Sequence, residues 1–248
     1  MPPAVIIPTY NESDNIPSLV NQILALPIDA HVIVVDDNSP DGTGALVDSI
    51  AAKEPRVHAV HRPSKMGLGT AHIAGMRRAF SLNLDPIVTM DADFSHHPRY
   101  IPNLIAGLIN YDVMIGSRYV PGGGTLGFSL KRQLLSHGAN LFARTMLSLK
   151  ATDCTAGFRA YRRAVLESID LDHIFSNGYS FLIELIFLCQ SHGWRTGEAP
   201  IVYEDRRAGT SKISRAEIYK ATYTVLRLMY RRLRTAKDAL LHRAGVAQ

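Results

Sequence analysis

The sequence predicts an α/β fold: a mostly parallel sheet flanked by helices, followed by an amphipathic helix at the C-terminus. Three observations carry this. Short apolar runs rich in β-branched residues alternate with helical patterns through the first half of the chain. Polar clusters recur just after those runs, at the edge where an open parallel sheet binds its ligands. The chain has 248 residues, 46% hydrophobic and 20% charged, the composition of an ordinary globular domain with enough length to bury a core.

Each element has its own signature. Ala4-Val5-Ile6-Ile7 reads as a buried strand. Ile16, Leu19, Val20, Ile23 and Leu24 then follow the i, i+3, i+4, i+7, i+8 template of an amphipathic helix. His31-Val32-Ile33-Val34-Val35 is a second strand, and Asn38-Ser39-Pro40-Asp41-Gly42-Thr43 is a dense turn leading into a helix. Val57 to Val60 gives a third strand, followed by a helix from about Thr70 to Phe80. Ile87-Val88-Thr89-Met90 and Val113-Met114-Ile115 give a fourth and a fifth. Strands alternating with helices imply βαβ units, with the sheet covered on both faces. Pro121-Gly122-Gly123-Gly124 is the strongest break. No composition shift follows it, so it reads as a mobile loop within one domain.

The charge divides the chain at residue 212. The net charge is +5. Residues 213–248 carry eight Lys/Arg against Glu217 and Asp238, or +6, which leaves −1 on residues 1–212. We therefore expect a catalytic domain over 1–212 and a basic amphipathic helix over 213–248. Ile218, Thr222, Val225, Met229, Leu233, Ala236 and Leu240 fall on one stripe at 100° per residue, with Lys220, Arg227, Arg231 and Arg234 opposite. Such a helix suits an anionic lipid surface, worth about 1 kcal/mol per basic residue near it. The same pattern also fits a helix packed on the domain with a solvated basic face. No stretch reaches the roughly 18 apolar residues of a membrane span. The best run, Phe181 to Cys189, is interrupted by Glu184. The start lacks a basic n-region and a long apolar run, so no secretory signal is expected. Two cysteines, Cys154 and Cys189, make no disulfide scaffold and no zinc spacing, and point to a reducing compartment.

Four polar clusters follow strands: Pro8-Thr9-Tyr10-Asn11-Glu12, Asp36-Asp37, Asp91-Ala92-Asp93 and Gly116-Ser117-Arg118-Tyr119. Carboxylates at i and i+2, leaving a strand, can face the same way. Asp91 and Asp93 thus suit Mg²⁺ or Mn²⁺, with substrate phosphates completing the shell. Asp93 could alternatively cap a following helix, and Asp36 could stabilise its turn. Gly67-Leu68-Gly69 fails as a dinucleotide fingerprint, since the third glycine position is His72 and the stretch does not follow the first strand.

These stretches, taken together, resemble family 2 glycosyltransferases of the inverting, nucleotide-diphospho-sugar kind. Within that family the sequence is similar to the dolichol-phosphate and polyprenol-phosphate mannosyltransferases. The matching runs also include Gly-Leu-Gly-Thr-Ala at 67–71, Asp-Ala-Asp-Phe-Ser-His-His-Pro at 91–98, Lys131-Arg132, Ser136 with Ala139-Asn140, and Asp153 with Thr155-Ala156-Gly157-Phe158-Arg159. Gly-Tyr-Ser-Phe at 178–181 and Asp-Arg-Arg-Ala-Gly-Thr-Ser-Lys at 205–212 complete a collinear set that runs to Lys212. The resemblance implies a glycosyltransferase-A, Rossmann-like fold and transfer of mannose from GDP-mannose to a polyprenyl phosphate. It implies that Pro8, Tyr10, Glu12, Val35 and Asp37 line the nucleotide pocket with Lys65 nearby. Asp91, Ala92 and Asp93 would meet the metal and diphosphate, with Arg206 and Lys212 binding donor phosphates from a closing loop. Arg118, Arg132 and Ser136 would hold the acceptor phosphate. Ser95 stands where some relatives carry Gln, and Leu182 where relatives often show Gln after the Gly-Tyr-x-Phe run.

Elementary chemistry agrees with such a reaction. A lipid monophosphate, with a second pKa of about 6, is largely a dianion at neutral pH. Such a nucleophile needs no general base, so catalysis reduces to positioning and charge neutralisation. The expected partners are GDP-mannose, polyprenyl phosphate, the cytoplasmic face of a membrane and, as an option, a separate membrane-anchoring subunit. No nucleic acid is expected. Two other readings are a transferase using UDP-glucose or UDP-GlcNAc and a non-catalytic protein that binds anionic surfaces through its basic tail.

Overall fold

A computed structural model describes residues 1–204 and 215–243, the latter as backbone alone for 215–217 and 235–243. Five strands form where the apolar runs predict them: β1 (Ala4–Thr9), β2 (His31–Asp36), β3 (Val57–His61), β4 (Ile87–Thr89) and β5 (Val113–Ser117). Helices α1 (Ile16–Leu24), α2 (Thr43–Ala51) and α3 (Leu68–Ser81) alternate with the first four. α4 (Ile101–Gly107) leads into β5.

The second half holds elements that the periodicity does not announce. A loop ending in β6 (Gly124–Leu126) leads to α5 (Leu130–Leu147). β7 (Arg159–Tyr161), α6 (Arg163–Glu167), α7 (Ser180–Ser191), β8 (Thr196–Pro200), β9 (Val202–Glu204) and α8 (Arg215–Arg243) follow. The main sheet has the order β3-β2-β1-β4-β7-β5-β8. β7 runs antiparallel to both β4 and β5, and the other pairings are parallel. The Pro121–Gly124 break therefore ends in a strand that pairs with β9 in a small second sheet.

Two apolar layers sandwich the sheet. On one face Ile6, Ile33, Val35, Ile87 and Ile115 meet α3, α5, α7 and α8. On the other, Val5, Ile7, Val32, Val34 and Met114 meet α1, α2 and α4. α7 is the Phe181–Cys189 run. It is buried on nearly every side, which is why it lacks a helical stripe. Cys154 and Cys189 are both buried free thiols. No helix among the described residues is long and apolar enough to cross a membrane.

α8 packs on α5 and α7 with a burial pattern other than the expected stripe. Among its described side chains Thr224, Val225 and Leu228 are buried, and Ala221, Thr222 and Met229 are partly covered. Leu233 is 61% exposed, and the side chains of Ala236 and Leu240 lie outside the described residues. Arg227, expected opposite the apolar stripe, is exposed and stacks 4.0 Å over the Phe175 ring.

Candidate active site

The carboxyl ends of β1, β2, β4 and β5 come together at one edge of the sheet, beside the switch in strand order between β1 and β4. Two cavities open there. One, of about 380 Å³, is lined by Pro8, Tyr10 and Glu12 after β1, Asp91, Ala92 and Asp93 after β4, and Lys65 with Gly67 before α3. Asn177, Gly178 and Tyr179 before α7 and Lys220 on α8 also line it. The second cavity, of about 450 Å³, has a polar end at Asp91, Arg118, Arg132 and Ser136. Its far end is apolar, between Leu134, Leu135 and Phe142 of α5 and Ile218, Ala221 and Val225 of α8. The cavities share Asp91, Leu68 and Tyr179.

Strand ends here turn sharply. Asn11, Asn38 and Phe94 take positive φ of 60°, 56° and 61°. Asn tolerates this conformation, whereas an aromatic residue there is unusual and stores strain. Phe94 directly follows Asp93, so the turn that aims the second carboxylate is held by its surroundings. Ser95 donates to Asp93 Oδ1 from its amide at 3.1 Å and from its hydroxyl at 2.5 Å. The Asp91 amide donates to His96 Nδ1 at 3.2 Å. His96 packs between Phe158 and Tyr203, and burial lowers its pKa. It stays neutral, with Nδ1 an acceptor.

Asp91 and Asp93 fit a divalent cation. Both line the nucleotide-sized cleft, and Asp91 borders the second cavity as well. Their donor set is hard carboxylate oxygen, suited to Mg²⁺ or Mn²⁺. No cluster of three or more His, Cys, Asp or Glu suited to a metal occurs among the described residues.

The second-strand acids separate into two roles. Asp36 accepts from the Ser39 amide and hydroxyl at 3.0 and 2.5 Å and faces the Thr9 hydroxyl at 3.2 Å. It stabilises its own turn. Asp37 is paired with Arg62 at 3.1 Å in a site where both side chains are under 10% exposed. Burial raises the Asp37 pKa and outweighs the pull of Arg62. Arg62 also donates to the Gly67 carbonyl and Thr70, so the pair ties the end of β2 to the loop before α3. Lys65 stands 4.2 Å over the Tyr10 ring.

Arg118 and Ser136 are brought together, but through partners. Arg118 Nε and Nη2 reach Asp153 Oδ2 and Oδ1 at 2.8 and 2.7 Å, and Nη2 also reaches the Thr155 hydroxyl at 2.9 Å. Burial opposes charge on Arg118, yet this pairing raises its pKa, and Arg118 in turn lowers that of Asp153. Ser136 and the Tyr119 hydroxyl are 2.6 Å apart. Arg132 stacks 3.7 Å over Phe128. Asn140 ties α5 to this floor by accepting from the Cys154 and Thr155 amides at 2.7 and 3.2 Å.

Of the expected residues, Pro8, Tyr10, Glu12, Lys65, Asp91, Ala92 and Asp93 meet in one cleft, and Arg118, Arg132 and Ser136 in the adjoining cavity. Val35 is not at either surface. Its side chain is completely buried in the core, because an inward position on a parallel strand covered on both faces belongs to packing. Asp37 is buried and paired with Arg62 and is not among the residues lining either cavity. Arg206 and Lys212 lie outside the described residues. Sequence reasoning missed Asn177, Tyr203 and Lys220 as lining residues. It also gave no role to Glu184, whose charge within an apolar run was the available signal. Glu184 accepts from the Phe175 and Ser176 amides at 3.4 and 2.9 Å and from the Ser176 hydroxyl, anchoring the loop that forms one wall of the cleft.

The family and the fold have known counterparts. The family model described as glycosyl transferase family 2 matches residues 4–170. A polyprenol monophosphomannose synthase of Mycolicibacterium smegmatis is 45% identical over 227 residues, covering 89% of this chain and 84% of its own. An undecaprenyl-phosphate mannosyltransferase of Micrococcus luteus is 43% identical, covering 90% and 91%. Among solved structures, a mannosyltransferase of Pyrobaculum calidifontis in complex with GDP-Man and Mn²⁺ matches with a TM-score of 0.61 at 17% identity, over 94% of this chain and 64% of its own. A glucosyl-3-phosphoglycerate synthase of Mycobacterium tuberculosis, with Mn²⁺, UDP and its product, also matches at 0.61, with 20% identity over 100% of this chain and 81% of its own. With a family match over two thirds of its length and relatives above 40% identity, the chain belongs to glycosyl transferase family 2 and is a glycosyltransferase.

Proposed function

We propose that this enzyme transfers mannose from GDP-mannose to a polyprenyl phosphate, with inversion at the sugar carbon. One observation carries the reading. A cavity lined by cationic and hydroxyl side chains, Arg118, Arg132 and Ser136, and by apolar side chains of α5 and α8 shares Asp91 with the neighbouring cleft. That shape fits a lipid monophosphate better than a sugar or a peptide. The names of the two relatives agree on such an acceptor, and the structural neighbour that holds GDP-Man supports the donor.

In this reading Pro8, Tyr10, Glu12 and Lys65 seat the nucleoside, and Asp91 and Asp93 face the diphosphate. Arg206 and Lys212 bind donor phosphates from the segment after β9. A divalent cation held by Asp91 and Asp93 supplies charge neutralisation for the leaving diphosphate. Arg118, Arg132 and Ser136 hold the acceptor phosphate so that one of its oxygens faces the sugar carbon from the side opposite the leaving group. The dianion needs no base, so fixed positive charge and orientation are what the protein contributes. The enzyme works peripherally on the cytoplasmic face of a membrane, with residues 1–212 as the catalytic unit and 213–248 as the element that meets the lipid.

The test incubates purified protein with radiolabelled GDP-mannose, polyprenyl phosphate and Mg²⁺ or Mn²⁺ in detergent, then extracts into organic solvent. UDP-sugars and Asp93→Ala run in parallel. Label in the lipid phase from GDP-mannose alone, lost on chelation and reduced by at least about a hundredfold in Asp93→Ala, is expected. Label only from a UDP-sugar would overturn the donor. Transfer that appears only with added membrane fraction would point to an anchoring subunit.

A further inference from the structure

The geometry points to Lys220 of α8, which lines the same cleft as Asp91 and Asp93, as a binding residue for the donor diphosphate. The inference rests on the proposed nucleotide-sugar donor and adds a residue outside every motif that marks the site in sequence.

Charge states the need. A sugar-nucleotide diphosphate brings two negative charges into a cleft already lined by three carboxylates, Glu12, Asp91 and Asp93, and a single divalent cation offsets fewer than half of the five. Departure of the sugar adds one more negative charge to the diphosphate. Among the described residues, Lys65 and Lys220 are the cations that line this cleft. Lys65 sits over the Tyr10 ring, at the end formed by the β1 turn. Lys220 lines the cleft together with Asn177, Gly178 and Tyr179. An ammonium there is a compact charge on a flexible stem, suited to following a phosphate oxygen.

α8 is built to hold that position. Its buried face, Thr224, Val225 and Leu228, is seated in the core. Arg227 stacks 4.0 Å over Phe175 at the root of the 174–179 loop. Lys220 lies two turns before Arg227, roughly 10 Å along the axis, and so lies alongside the loop that Arg227 covers. Ile218, Ala221 and Val225 of the same helix wall the apolar cavity. One helix therefore borders both substrates, and its seating against the lipid acceptor places a cation on the donor.

The test compares GDP and GMP binding by calorimetry, with Mn²⁺, for the full-length wild type, Lys220→Gln, Lys220→Arg and the exposed α8 control Arg234→Gln. GMP lacks the β-phosphate and reads the nucleoside end alone. We expect Lys220→Gln to weaken GDP binding about tenfold with GMP affinity unchanged, Lys220→Arg to restore most of it, and Arg234→Gln to match wild type. Unchanged GDP affinity in Lys220→Gln, or an equal loss for GMP and GDP, overturns the proposal. If wild type instead binds UDP and UMP, the guanine reading fails on its own, and the same diphosphate-minus-monophosphate difference still decides Lys220.

Discussion

Arg118 shows how a proposed site cation and a structural ion pair can be one residue. Asp153 is completely buried, and Arg118 grips it through two parallel N–H···O bonds with Thr155 as a third partner. Such a bidentate pair fixes the guanidinium plane. The acceptor phosphate would meet a pre-oriented group, whose partner also lowers its net pull on an anion. Asp153 is held below the usual carboxylate range by Arg118 against the cost of its burial, so the pair stabilises the fold at neutral pH and loses that contribution on acidification. His72 gives a sharper pH prediction at this scale. It stacks on Phe181 at 5.8 Å, and neither ring nitrogen has a hydrogen-bond partner among the described residues. Burial, with Arg159 nearby, pushes its pKa down to about 3. The unfolded chain, with a pKa of about 6.5, takes up the proton first. This contribution is therefore complete above pH 6.5 and falls as the pH drops towards 3. One proton costs about 1.4 kcal/mol per pH unit, or about 2 kcal/mol between pH 6.5 and 5. We expect the urea midpoint of His72→Phe to fall by less than that of wild type between pH 7 and 5, with His96 and His58 contributing equally to both. Identical pH slopes would show that His72 is not buried in its neutral form.

The loop between the second 3₁₀ turn and α7 is where element-scale design meets the proposed donor site. Asn177, Gly178 and Tyr179 line the cleft, while Glu184, itself completely buried one turn into α7, accepts from Phe175 and Ser176. Gly67 permits the opposite wall to approach: its φ is +100°, and a Cβ there would stand 2.2 Å from the Asn177 Oδ1. Replacing Glu184 with Leu removes the acceptor of these amides, a loss of about 1–3 kcal/mol for each buried donor left unpaired. The expected kinetic result is a donor KM raised about tenfold with a smaller change in kcat, and Glu184→Gln in between. An unchanged donor KM in a folded Glu184→Leu protein would mean that the loop does not form the donor site. These elements also mark the limit of what the sequence discloses. β1 to β5 and α1 to α3 were legible because β-branched runs and amphipathic stripes alternate there. α7 was not, since burial on all sides erases periodicity. α5 was not, since only Asn140, Ala143 and Leu147 are buried along its length. β7 is three residues long and antiparallel, and its completely buried Arg159 is satisfied by the Leu182 and Cys154 carbonyls, a reversal of the surface habit of arginine. The cleft was legible as strand-end clusters, but its far wall comes from α7 and α8, which bear no such signature.

At the scale of the whole molecule, apolar surface and positive charge occur on the same side. Tyr219, Tyr223, Leu226, Tyr230 and Leu233 of α8 are all exposed. Their spacing of 4, 3, 4 and 3 places them on one stripe, one residue out of phase with most of the stripe that the sequence pattern suggested. Leu130, Leu134 and Leu141 of α5, which packs beside α8, are also exposed, at 78%, 74% and 65%. Contiguous apolar side chains of this kind on a monomer mark a contact surface. The apolar cavity opens between the same two helices, so a lipid acceptor leaving the bilayer would enter along this face. Arg231 and Arg234 are exposed on α8 as well, and tyrosines favour the lipid–water boundary. Binding should then depend on both terms. The protein should cosediment with vesicles containing anionic lipid and much less with neutral ones, and 0.5 M salt should weaken the binding by shortening the screening length to a few ångströms. Tyr223→Ser with Tyr230→Ser, which removes about 1 kcal/mol or more of apolar contact per site, should weaken vesicle binding at least tenfold while GDP affinity and the melting temperature stay near wild type. Cosedimentation that ignores both lipid charge and the two tyrosines would assign the exposed stripe to another surface than the membrane, and the lipid acceptor would then need a different route to Arg118.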